Sequence, residues 1–130
     1  MTPSEALIEA GLRFEGAHIC ESQPHPLLMQ LCSSHTQYMV DYKQLGHQNF
    51  QERWDTINRI LGVSAAEIAA QTWDRQRNDT LEAVADEMFK CWRQSTGHWR
   101  IASVKHKFFG GDMCQNEENG IWYSCMIGAD

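Results

Sequence analysis

Several signals that would assign a function at once are missing from this chain. No apolar run reaches the ~18 residues of a membrane-crossing helix, so no membrane span is expected. Residues 1–11 carry neither a basic leader nor the apolar centre of a secretory signal, which points to the cytoplasm. Basic charge is also short. Eleven Lys and Arg stand against 17 Asp and Glu, for a net charge of −6. No basic stretch offsets that balance, so neither nucleic acid nor an anionic membrane is expected as a general partner.

Common catalytic signatures are missing too. Gly110-Gly111 stands without a GxxxxGK or GxGxxG pattern and is no phosphate loop. There is no GxSxG elbow, and Ser33-Ser34 fall inside a helical pattern. HExxH does not occur, and there is no internal repeat or low-complexity tract. The cysteines (Cys20, Cys32, Cys91, Cys114 and Cys125) are odd in number and include no CxxC pair. They read as buried, reduced thiols, because disulfides need an oxidising compartment. Cys91 lies seven residues before His98, but its place on an apolar helix face favours packing over a nucleophilic role.

What remains is an ordinary globular chain of 130 residues, 42% apolar and 22% charged. That is enough for one domain with a modest core, here spanning residues 1–130 with residues 1–25 as an N-terminal extension packed on it. Residues 3–11 read as a short helix with Pro3 in its first turn and Gly11 as its stop. From Pro26, the positions Leu27, Leu28, Leu31, His35, Tyr38, Met39 and Tyr42 recur at helical steps to about Lys43. Residues 51–61 form another helix, with Trp54, Ile57, Ile60 and Leu61 on one face, Asn49 with Glu52 as a capping box and Gly62 as the stop. Residues 64–73 fit either a short helix or a buried extended segment, and the polar stretch 74–79 follows. Asp79 or Thr80 caps a helix with Leu81, Val84, Ala85, Met88, Cys91 and Trp92 on its apolar face. Its Glu82, Asp86, Glu87 and Lys90 read as a solvated face. Gly97 marks a corner after this helix, and residues 98–103 read as one more helical turn. The tail is a hairpin turning at Asn119-Gly120. Its last strand, residues 121–127, is apolar on both faces, which requires cover on both sides. The expected architecture is α+β, a small antiparallel sheet between helices.

Three polar residues stand out. His47 follows Gly46, His98 follows Gly97, and Glu67 lies between alanines and Ile68, where a charge must find a partner or face solvent. His35 sits on an apolar stripe. His47, Glu67 and His98, with His35 as a fourth, could bind a divalent metal such as Zn²⁺, which takes nitrogen and oxygen ligands. The same groups could act as general acid and base, or form a buried polar network that only holds helices to the sheet.

Four motifs in order carry a resemblance: Ser34-His35-Thr36-Gln37-Tyr38-Met39, Gly46-His47, Ala65-Ala66-Glu67-Ile68-Ala69-Ala70 and Cys91-Trp92-Arg93-Gln94-Ser95-Thr96-Gly97-His98-Trp99. Across residues 26–128 the chain resembles the compact bacterial branch of the CAP superfamily (cysteine-rich secretory, antigen 5 and pathogenesis-related 1 proteins, or SCP domain). The resemblance implies a three-layer α-β-α sandwich and a central cavity holding His47, Glu67 and His98, in some members with a divalent metal. Family members are typically exported. The chain departs from the pattern at Ser95, where many eukaryotic members carry a second cavity Glu, at Ile68 in place of Asn and at Thr96 in place of Pro. Three functions follow as expectations: a metal- or small-ligand-binding module, a metal-assisted hydrolase with Glu67 as base, or a structural or interaction protein with a polar cluster.

Overall fold

In the computed structural model, which describes residues 1–73 and 79–130, Thr2 opens the first helix, α1 (Pro3–Arg13). The Thr2 hydroxyl accepts from the Glu5 amide while the Glu5 carboxylate accepts from the Thr2 amide, a reciprocal cap that leaves neither donor unpaired. Gly11 does not stop this helix, as its sequence position suggested. It lies inside, packed so closely on its neighbours that a Cβ would stand 2.4 Å from Cys20 Sγ and 2.8 Å from Phe89. A 3₁₀ turn (Ile19–Glu21) and the two-residue strand β1 (Gln23–Pro24) lead to α2 (Pro26–Tyr42). Here Pro26 supplies a preset first turn and His25 Nδ1 caps the Leu27 amide.

The remaining elements are α3 (Phe50–Leu61), β2 (Ala65–Trp73), α4 (Leu81–Arg93), α5 (Thr96–Ala102), β3 (Phe108–Gln115) and β4 (Ile121–Ala129). Asn49 precedes α3 in a left-handed conformation (φ 64°) and its side chain makes no cap bond, so the capping box with Glu52 does not form. Gly62, at φ 68°, ends α3 as expected. The ambiguous segment is strand β2. The polar stretch at 74–78 lies outside the described residues, and Thr80, rather than Asp79, caps α4 through the Ala83 amide. The break between α4 and α5 falls at Gln94 and Ser95, earlier than Gly97 suggested, and Gly97 sits in the first turn of α5.

The sheet runs β1-β3-β4-β2. β4 is antiparallel to both β3 and β2, as expected of the hairpin, whereas β1 adds a parallel pairing at Gln23 and Pro24 and makes the sheet mixed. Gly120 takes φ 75° at the hairpin turn, and Asn116 anchors that turn. Its Oδ1 accepts from the Glu118 and Asn119 amides while its Nδ2 donates to Val40 O on α2.

Strand periodicity splits the core into two. On one face Ile68, Ala70, Phe109, Met113 and Met126 pack under α1, α4 and α5 with Leu7, Phe89 and Trp92. On the other, Ala69, Tyr123, Cys125 and Ile127 pack under α2 and α3 with Leu28, Met39 and Ile57. The protein is thus an α+β sandwich with helices on both sheet faces. Residues 1–25 contribute Leu7, Ala10 and Ile19 to the first core at 0% exposure, so this segment is a wall of the fold as well as an extension.

Gly110 sets the closest approach of the layers. A Cβ there would lie 2.4 Å from Leu28 C and 2.5 Å from Met29 N, and backbone cannot swing aside as a side chain does. Gly110→Ala is expected to destabilise the protein by about 1–3 kcal/mol in urea unfolding, the usual range for overpacking. An unchanged midpoint would show that α2 is free to lift from the sheet.

Candidate polar site at the β2 edge

Glu67 is the third residue of β2, and the two-residue period places it on the Ala69 face, beneath α2 and α3. Its side chain is 1% exposed. Such a carboxylate needs a partner, and it has a strong one in Arg53 of α3. Arg53 Nε donates to Oε2 at 2.7 Å and Nη2 to Oε1 at 2.8 Å, a two-pronged match of guanidinium to carboxylate. The remaining prong, Nη1, donates to Gln48 O at 2.8 Å and so holds the α2–α3 loop. Burial pushes the Glu67 carboxyl up, but the hydrogen bonds from His47 and Arg53 and the guanidinium charge outweigh it and keep the group below its ordinary value of 4.5.

His47 comes from the α2–α3 loop and donates Nδ1–H to Glu67 Oε1 at 3.0 Å. An ionised carboxylate has no proton to give, so the hydrogen must sit on Nδ1. The neutral ring therefore keeps its lone pair on Nε2, on a side chain 46% exposed. His35, on α2, works inward. Its Nε2–H donates to Gly46 O at 2.7 Å, and its ring stacks on Tyr38. Glu67 Oε1 is 3.7 Å away, and Nδ1 is buried without a partner among the described residues. A bare lone pair there costs less than an N–H would, which suits the neutral form, and burial holds the His35 pKa below its ordinary 6.5.

His98 approaches from α5, which packs on β2 from the opposite layer. Burial, and after it the positive charge of a protonated His47, hold the His98 pKa below 6.5, so the two imidazoles lie within each other's field. The structure therefore joins His47, Glu67 and His35 by direct contact, and it brings His98 to the group only through His47. Arg53 was not anticipated. The signal was present, because Arg53 stands four residues before Ile57 and eight before Leu61, on the buried stripe of α3. Ile60, placed on that stripe by sequence, is instead 55% exposed.

Among the described residues, no group of three or more His, Cys, Asp or Glu side chains is arranged to hold a metal ion. Arg53 is the physical reason at Glu67: a guanidinium already satisfies the carboxylate and would repel a cation placed beside it. The nitrogen at this group that remains for further contacts is His47 Nε2.

No family model matches this chain, and no curated protein sequence does. Among solved structures, it is similar to an outer surface protein from Borrelia burgdorferi, with a TM-score of 0.62. That match covers 98% of this chain and 88% of the other at 14% identity, a likeness of fold.

Two outcomes follow. Glu67→Gln leaves the Arg53 charge buried without its counterion, and it should cost about 3–5 kcal/mol in chemical denaturation. A loss under about 1 kcal/mol would mean that water reaches Arg53. Stability should also fall with acid in two stages. His35 and His98 have folded pKa values below 6.5, so the unfolded chain binds protons first and stability, full above that pH, declines below it. Glu67 adds a further loss as pH drops below 4.5 toward its depressed folded value. Urea midpoints that stay constant from about pH 8 to pH 5 would contradict the first stage.

Proposed function

We propose that this chain is a ligand-binding module of the CAP type, with the imidazoles of His47 and His98 facing the ligand and Glu67 orienting His47. The hydrogen bond from His47 Nδ1 to Glu67 carries this reading, because it leaves the opposite ring nitrogen as a lone pair at a half-exposed position. Imidazoles oriented by a carboxylate through one nitrogen are the common form of metal-binding histidine. A divalent ion such as Zn²⁺ is the first ligand class for such a pair, since two nitrogens leave positions for water or a small molecule. The four ordered motifs across residues 26–128 and the helix–sheet–helix layering support the CAP relationship.

Arg53 favours a second reading, in which the cluster only holds α3 and the α2–α3 loop to β2. Its two-pronged bond to a fully buried carboxylate is what a structural tie needs. The same bond weighs against a hydrolase that uses Glu67 as base. A carboxylate held below its ordinary range, with both oxygens engaged, is a poor proton acceptor.

Calorimetric titration with Zn²⁺ at neutral pH distinguishes these readings. The binding module predicts heat of binding in the wild type, its loss in a His47→Ala/His98→Ala double variant, and weaker binding in acid as His98, with its pKa held below 6.5, takes up a proton. Equal heats from both proteins would remove the site. No heat in either, with a Tm that chelators leave unchanged and His47→Ala lowers, would favour the structural tie.

A further inference from the structure

We propose that Cys32 and Cys125 are the two halves of an intramolecular disulfide that staples α2 to β4 when the chain folds in contact with a small-molecule disulfide. Cys32 lies on the sheet-facing side of α2 and Cys125 on the helix-facing side of β4, and both are 0% exposed. Their sulfurs are 3.7 Å apart, with the Cys125 thiol donating to the Cys32 sulfur. An S–S bond of ~2.05 Å needs the sulfurs to close by roughly 1.7 Å, which side-chain rotation can supply once helix and strand are in place. Both elements are held there, α2 by its contact at Gly110 and by Asn116, and β4 by pairing on both edges.

The other cysteines are differently engaged. Cys20 packs on Gly11, Cys91 reaches Gln71 O and Cys114 reaches Gln115 O. Cys32 and Cys125 are the pair whose sulfurs meet among the described residues.

The chemistry is two successive exchanges. One cysteine, as thiolate, attacks a sulfur of the small disulfide, forming a mixed disulfide and expelling one small thiolate. The second cysteine, as thiolate, then attacks the protein sulfur of that mixed disulfide, closing the Cys32–Cys125 bond and expelling the second. Two protein thiols lose two electrons and two protons, and the small disulfide gains both to become two thiols. Burial and the adjacent Cys32 sulfur hold the Cys125 thiol well above its ordinary range. The exchange therefore belongs to the folding or locally opened chain, and the finished bond is sealed against reductants.

Refolding the whole chain from denaturant with oxidised glutathione, followed by alkylation, digestion and mass mapping, tests this. A linked Cys32–Cys125 peptide is expected, with Cys20, Cys91 and Cys114 alkylated. The bond closes a span of 93 residues and restricts the unfolded chain, so Tm should rise by about 10 °C over the reduced protein. Cys125→Ala should abolish that difference. If it fails to fold, a Cys91→Ser/Cys114→Ser variant, which keeps the proposed pair, should still show the linkage. Alkylation at all five cysteines, or linkage of other pairs, would overturn the proposal.

Discussion

The desolvation of one carboxylate constrains much of this structure. Glu67 sits on a strand surrounded by small apolar residues, where an unpaired charge would cost several kcal/mol. Arg53 removes that cost, and in doing so fixes the rotation of α3, because its guanidinium must lie flat against both carboxylate oxygens. The third prong reaches the carbonyl of Gln48 and places the loop that carries His47. A single ion pair thus sets three things together: the seat of a helix, the course of a loop and the tautomer of an imidazole.

The sheet provides the frame for that arrangement. β2 and β4 both contribute side chains to both cores, so the two helical layers are coupled through the sheet. His47 and Glu67 belong to the α2–α3 side, whereas His98 arrives on α5 from the other.

Much of this was legible in the residues, for identifiable reasons. The two-faced apolar strand, the hairpin at Asn119-Gly120 and the amphipathic runs of α2 and α4 follow directly from periodicity. Residues 64–73 did not, because alanine is a strong helix former and only cross-strand pairing with β4 makes this segment extended. Glycines misled twice: Gly11 and Gly97 read as helix boundaries, whereas Gly11 is demanded by contact with Cys20 and Phe89 inside a helix. Glu67 stands out in the sequence because a charge among alanines needs a partner. Arg53 falls four residues before Ile57 and eight before Leu61, on the buried stripe of α3, but an arginine there reads as solvated until the approach of α3 to β2 supplies its counterion.

Asn116 and Gly110 together hold α2 near its two ends, one by a hydrogen bond to Val40 and the other by bare backbone contact at Leu28 and Met29. A rod clamped at two points can neither slide nor roll. From this fixed helix hangs the short segment between Lys43 and Asn49, whose two ends are both wound in the left-handed sense. Between those two turns the segment is pinned at three consecutive residues, Gly46 by His35, His47 by Glu67 and Gln48 by the guanidinium beneath it.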